Sequence, residues 1–399
     1  MDQNPFLTPS FPSRLPEVGT TVFTVMSALA AKHQAINLGQ GFPDFPCDRG
    51  LIAEINAAML ADHNQYPPMA GVLELRHGIA QKISVLYGHV YDPETEITIT
   101  AGGTQGIMTA ILSCASPGDE VVIIEPAYDS YRPSIDLAGG KTIAISLLAN
   151  RNDQGLVVSY EIPWDDLAKA INPKTRLIMI NTPHNPTGMV WQASDLERLS
   201  QLVKNTDALI VSDEVYEHMV FDAALGAVHQ SAVRFPGLAA RAFIVSSFGK
   251  TYHVTGWKVG YVAAPATLTA EFRKVHQFNV FTVNTPVQHA LASYMAKPAA
   301  YLDLPAFYQR KRDLFREGLA ATKFKLLPSE GTYFQCVDIS DVRDLGEADF
   351  CKWLTTEIGV AAIPLSAFYG NGFDQRVVRF CFAKKDETLQ AALGRLAKL

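Results

Sequence analysis

The chain has 399 residues, 48% hydrophobic and 19% charged, with a formal net charge of −6 and an isoelectric point of about 5.9. That composition suits a soluble globular protein with one large domain and a smaller one, and the acidic balance without a basic run argues against nucleic acid or an anionic membrane as partner. The start, Met1-Asp2-Gln3-Asn4-Pro5, lacks signal-peptide order, and the five cysteines (Cys47, Cys114, Cys336, Cys351, Cys381) have no CxxC spacing, so neither a disulfide framework nor a zinc site is expected and a cytoplasmic location is.

In chain order, residues 1–19 carry Pro5, Pro9, Pro12 and Pro16 and predict an extended arm. From about residue 45 to 285, strand-like runs alternate with helical patterns. This predicts an α/β fold, a mostly parallel central sheet covered by helices on both faces. The run 96–100 leads into Gly102-Gly103-Thr104-Gln105-Gly106 and a helical pattern from Ile107; 176–180 leads into Asn181-Thr182-Pro183-His184-Asn185-Pro186-Thr187-Gly188. The run 209–212 ends at Asp213-Glu214-Val215-Tyr216, and 242–246 ends at Ser247 and Lys250. After Pro286 come amphipathic helices over 306–322 and 386–398, with short strands at 331–337 and 377–382. The expected organisation is an arm and part of the small domain (1–44), a large domain (45–285) and a small α+β C-terminal domain (286–399).

In open parallel sheets ligands bind beyond the carboxyl ends of strands. Four strand ends holding Gly/Thr, Asn, Asp/Tyr and Ser/Lys therefore point to one site. The glycine turn at 102–106 is either a tight βα turn or a phosphate cradle at a helix start. It is not G-x-G-x-x-G, and Gly249-Lys250-Thr251 lacks the earlier glycine of a P-loop. Lys250 is either a surface lysine or an amine that forms a Schiff base with a carbonyl cofactor. Asp213 is a helix cap or the partner of a protonated pyridine nitrogen. Tyr216 is a packed aromatic or a neighbour of the same ring. Arg379, inside an apolar strand, has an acidic structural partner or grips a ligand carboxylate. The histidines lack metal spacing, and no metal is expected.

The motifs Asn37-Leu38-Gly39-Gln40-Gly41-Phe42-Pro43-Asp44-Phe45, Asn64-Gln65-Tyr66, Asn185-Pro186-Thr187-Gly188, Ser212-Asp213-Glu214-Val215-Tyr216, Ser247-x-x-Lys250 and Arg379-Phe380-Cys381-Phe382 stand in this order. Through them the chain resembles, over nearly its whole length, the class I pyridoxal-phosphate aminotransferases of fold type I, in the kynurenine aminotransferase-like branch. The stretches 19–23 and 246–253 are similar to bacterial methionine aminotransferases. The resemblance implies pyridoxal 5'-phosphate as cofactor, with Lys250 as its covalent anchor and later proton shuttle. It places Asp213 on the pyridinium nitrogen, Tyr216 and Asn185 on the ring hydroxyl oxygen, and Tyr128 against the ring face. Gly103, Thr104, Ser247 and Lys258 would hold the phosphate, joined by Tyr66 from a partner subunit. Arg379, Asn185 and the Gly41 backbone would take the substrate carboxylate. Phe23, Tyr128 and the partner's Phe281 would line the side-chain pocket. Lys258 stands where many relatives carry arginine.

The implied activity is ping-pong transfer of an amino group to a 2-oxo acid by a homodimer. Residues 277–284 offer no arginine for a second carboxylate. Large neutral donors are therefore expected, methionine first, then aromatic amino acids or histidine. The alternatives are another enzyme on the same cofactor, such as a cysteine-conjugate β-lyase, and a non-catalytic effector-binding domain.

Overall fold

The computed structural model describes residues 11–399, so Pro5 and Pro9 of the expected arm lie outside the described residues. Residues 11–20 form neither helix nor strand. The Thr21 hydroxyl accepts the Thr24 N–H and starts helix α1 (Val22–Lys32), which leads to the short strand β1 (Ile36–Asn37). Helices α2 (Arg49–Leu60) and α3 (Leu73–Tyr87) follow, the latter ending on Gly88 in the left-handed region.

Next comes an alternating run. It holds β2 (Ile97–Thr100), α4 (Gly102–Cys114), β3 (Glu120–Glu125), α5 (Tyr131–Ala138) and β4 (Lys141–Ser146). A hairpin of β5 (Leu148–Arg151) and β6 (Val157–Glu161) precedes α6 (Trp164–Ala170), β7 (Thr175–Asn181), α7 (Ala193–Val203) and β8 (Leu209–Asp213). The run closes with α8 (Pro236–Ala239), β9 (Ala242–Ser247), α9 (Phe248–Thr251), β10 (Gly260–Ala263) and α10 (Ala266–Asn279). Seven strands form one sheet in the order β2-β10-β9-β8-β7-β3-β4, and only β10 runs antiparallel to its neighbours.

The sheet is buried on both faces, as its unbroken apolar strands require. Alternate residues of each strand go to opposite cores. Val122, Ile178, Ile180, Ile210 and Ile244 join one cluster; Val121, Leu177, Met179, Val211 and Val245 join the other. Each such side chain contributes about 1.5–3 kcal/mol on burial, which fixes the strand register and hence the residues at the strand ends.

Helices α11 (Thr285–Met295) and α12 (Ala299–Leu302) lead to α13 (Leu304–Leu319), which opens with Pro305 in its first turn. The second sheet is antiparallel: β11 (Lys325–Leu326), β12 (Phe334–Asp338), β15 (Val377–Cys381) and β14 (Ile363–Pro364), in that order. Helices α14 (Glu347–Trp353) and α15 (Asp386–Leu396) accompany it. Strand β13 (Val360–Ala361) pairs in parallel with β1, so the N-terminal segment is stitched to the C-terminal unit. Residue 286 is the second residue of α11, and α11 packs against α2 and α3.

Behind the sheet, α3 is anchored by a buried ion pair. Lys82 Nζ lies 2.6 Å from Glu217 and 2.8 Å from the Tyr261 hydroxyl, and the Tyr87 hydroxyl donates to Glu217 at 2.5 Å. Burial alone would push the Glu217 carboxyl up, but Lys82 and the surrounding donors hold it well below the usual carboxylate range. A carboxyl lowered on folding stabilises the fold above its unfolded pKa, and that stabilisation fades as pH falls. Lys82→Met should leave the Glu217 charge without its counterion and remove about 3–5 kcal/mol. The apparent melting temperature should drop sharply at neutral pH. The gap to the parent protein should narrow in mild acid, where Glu217 can protonate.

Candidate active site

Strand ends β2, β7, β8 and β9 open onto a cavity of about 230 Å³. Lys250 stands on the single turn α9, directly after β9. Its Nζ donates to the Tyr333 hydroxyl at 3.0 Å and to the Gly41 carbonyl at 3.3 Å. Burial lowers its pKa to about 8, with the cations Arg379 and Lys258 adding to the effect against Cys381 and Asp213. Near neutral pH a useful fraction of this amine is unprotonated, as a nucleophile and base requires.

Asp213 ends β8 and is buried. Burial raises its pKa to about 6, although the Tyr131 hydroxyl donates to it at 2.6 Å and the Val215 N–H at 3.3 Å. Asn181, its register partner on β7, donates its side-chain N–H to the Asp213 carbonyl at 2.8 Å. The Asn181 side-chain oxygen then accepts the Asn185 N–H at 2.7 Å. One asparagine thus joins the loops after two neighbouring strands.

Arg379 lies on β15 with 1% of its surface exposed. Its Nη1 donates to the Asn185 side chain at 2.7 Å and Nη2 to the Gly39 carbonyl at 3.2 Å. The guanidinium sits 3.8 Å over the Phe334 ring, with Phe368 and Phe23 at 5.0 and 5.5 Å. Its Nε is buried without a partner. The acidic structural partner is absent among the described residues, which leaves the planar fork for a ligand carboxylate.

At the far end of the cavity α4 begins. Its cap, Ala101, supplies no side-chain oxygen, so the first-turn N–H groups have no side-chain acceptor. Gly102 has φ +80, and a Cβ on Gly103 would come within 2.9 Å of Val215. Both glycines keep this corner open. Lys258 Nζ lies 3.6 Å from where a Gly102 Cβ would be. Uncapped N–H groups, Lys258, Thr104 and Ser247 together fit a phosphate, while Asp213 and Lys250 fit a cationic ring and its aldehyde.

Phe23, Gly41, Gly103, Thr104, Tyr128, Asn185, Asp213, Tyr216, Ser247, Lys250, Lys258 and Arg379 all line this one cavity. Tyr66 and Phe281 do not. They meet edge-to-face at 5.4 Å on the surface, 83% and 42% exposed. Sequence reading missed Tyr131, Asn181, Tyr333, Gln40, Phe42 and Phe334. Asn181 heads the 181–188 loop and Tyr131 follows Tyr128 by three residues, but Tyr333 shows in the sequence only as one aromatic of a short strand. Among the described residues no cluster suits a metal ion, and no helix is long and apolar enough to cross a membrane.

A family model for aminotransferases of class I and II matches residues 33–396. The chain belongs to the class I and II aminotransferase family. It is 47% identical to the methionine aminotransferase of Escherichia coli over all of both chains. A solved Escherichia coli structure, described as having a methionine aminotransferase function, covers 98% of this chain and 100% of its own at 48% identity, with a TM-score of 0.93. A probable N-succinyldiaminopimelate aminotransferase of Mycobacterium tuberculosis is 38% identical over 97% of this chain and 98% of its own. Human kynurenine–oxoglutarate transaminase 1 is 35% identical over 93% of each. The chain is an aminotransferase of fold type I, and enzymes of this class and fold depend on pyridoxal 5'-phosphate.

The depressed Lys250 pKa has a direct readout. In cofactor-free protein, acylation of Lys250 by a small anhydride should reach half its limiting rate near pH 8. Exposed lysines should do so near about 10.4. Peptide mapping after labelling at graded pH checks this.

Proposed function

We propose that this aminotransferase takes the amino group of large neutral amino acids, methionine first and aromatic amino acids or histidine next, and passes it to a 2-oxo acid in two half-reactions. The observation that carries the substrate class is the placement of the cavity's cations. Lys258 stands at the phosphate end, Lys250 at the centre and Arg379 at the carboxylate end. Among the described residues no further cation lines the cavity for a side-chain carboxylate, and Phe23, Phe42 and Phe334 supply apolar wall. A methylene more or less changes apolar binding by only about 1–3 kcal/mol, so the donor range should be broad.

Residues receive these roles. Gly103, Thr104, Ser247, Lys258 and the start of α4 hold the cofactor phosphate. Tyr128 covers the ring, Tyr216 and Asn185 take its hydroxyl oxygen, and the Asp213 carboxylate holds its cationic nitrogen. Bound there, the cofactor supplies an electron sink that acidifies the substrate Cα–H. Arg379, Asn185 and the Gly41 N–H orient the substrate carboxylate. Lys250 Nζ takes the Cα proton, holds it and would return it to the carbon on the other side of the amino nitrogen, a 1,3-shift. The cytoplasm is the proposed compartment and a homodimer the proposed assembly. The exposed Tyr66–Phe281 pair supports the dimer, because two aromatic residues that lie on the surface outside their own cavity are free to reach a second copy.

Lys250→Ala should abolish turnover while retaining weak cofactor binding; normal turnover by that variant would remove the assignment. Initial-velocity lines against a 2-oxo acid should be parallel. Arg379→Ala should lower kcat/KM for methionine about a hundredfold, the loss of a charged two-pronged contact. A donor panel tests specificity, and a preference for aspartate would refute the substrate class. Release of pyruvate and thiol in place of a 2-oxo acid would mean β-elimination.

A further inference from the structure

Residues 39–42 cross the cavity as a strap whose carbonyls are all taken from the protein side. Gly39 accepts from Arg379 at 3.2 Å. Gln40 and Phe42 accept from Lys384 at 3.2 and 2.7 Å. Gly41 accepts from the Tyr333 hydroxyl at 2.6 Å and from Lys250 at 3.3 Å. The Gln40 carbonyl and the Gly41 N–H share one planar trans peptide and so point opposite ways. With the carbonyl held by buried Lys384, the N–H is turned away from it, and it has no acceptor among the described residues.

Tyr333 stands where strap and lysine meet. It is fully buried. Its ring is wedged against Phe334 at 4.9 Å, Tyr216 at 5.2 Å and Tyr308 at 5.7 Å. The hydroxyl therefore cannot swing away, and it spends its proton on Gly41 while its oxygen accepts from Lys250 Nζ at 3.0 Å. A lysine stem otherwise carries about 2 kcal/mol of rotamer entropy. The other ionisable groups around this amine are Asp213, Arg379, Lys258 and Cys381, with the Tyr216 ring centre 5.5 Å away, and none of them is its hydrogen-bond partner.

We propose that Tyr333 is a positioning residue that parks the released Lys250 amine against the Gly41 carbonyl, keeping the proton-transfer group in place while the same strap receives the substrate carboxylate. The proposal rests on the roles given above to Lys250 and Arg379. It explains why a phenol, and not an apolar ring, occupies a buried site beside the lysine.

Tyr333→Phe keeps the ring and removes the hydroxyl. The holoenzyme should keep its cofactor absorbance, and kcat for methionine should fall about a hundredfold, as for a misplaced catalytic group. KM should stay within about threefold, and the isotope effect with Cα-deuterated methionine should rise. In cofactor-free Tyr333→Phe the midpoint of Lys250 acylation should move to lower pH, because an acceptor for the ammonium form is gone. Unchanged kcat, isotope effect and midpoint would overturn the proposal. If Tyr333→Phe does not fold, 3-fluorotyrosine placed at 333 keeps the shape and weakens the acceptor. The midpoint should then move the same way, and an unmoved midpoint would overturn the proposal. A silent Tyr333→Phe beside an inactive Lys250→Ala would refute only this inference, whereas an active Lys250→Ala would refute the reading beneath it.

Discussion

The site depends on charges that are denied counterions. Asp213, Lys250 and Arg379 line one cavity, and neutral groups hold each of them. Asp213 receives a phenol, Lys250 a phenol and a carbonyl, Arg379 an amide and a carbonyl. Elsewhere the same chain pairs its buried charges directly: Lys82 with Glu217, Arg312 with Asp222, Arg132 with Glu125. An uncompensated charge in a low-dielectric pocket is unfavourable for folding, and it is also what a charged ligand can complete. Raised Asp213 and lowered Lys250 express the same condition from opposite signs.

The scaffold holds this arrangement because β2, β7, β8 and β9 are fixed by two cores at once. A one-residue slip of β8 would move Asp213 off the strand end and turn its apolar residues to the wrong faces. Phe243 and Val245 pack in one core and Ile244 in the other, so Ser247 and Lys250 are placed by packing that never touches the ligand. The second unit contributes Arg379 from β15 and Tyr333 from the turn just before β12, and the N-terminal strap bonds to both units through Lys250, Tyr333, Arg379 and Lys384. The cavity is thus assembled from three parts of the chain, and none of them alone contains a proton donor, a phosphate cradle and a carboxylate grip.

Much of this was legible in sequence. Strand ends with polar residues marked β2, β7, β8 and β9, and an arginine inside an apolar strand marked β15. What stayed hidden depends on long-range contact. Tyr333 lies 83 residues from Lys250 and 292 from Gly41, and an aromatic in a strand gives no sign of such partners. Lys384 is buried on the Gln40 and Phe42 carbonyls, and a lysine followed directly by Lys385 carries no sign of that burial in the sequence. Tyr66 and Phe281 were assigned only through the family likeness, and within this chain both are exposed and lie outside the cavity.

Lys258 stands where the family resemblance leads one to expect an arginine. It occupies the left-handed region at φ +54, after a short helical turn, and approaches the start of α4 beside Gly102. A guanidinium would bring a planar fork and a directional grip, whereas an ammonium brings a compact charge. Directionality is already available from the uncapped N–H groups of α4, whose geometry is fixed by the helix itself. A point charge is then sufficient, because orientation comes from the backbone and lysine need supply only attraction. The substitution is tolerable here for the same reason that glycine at 103 is required: the backbone has to come close.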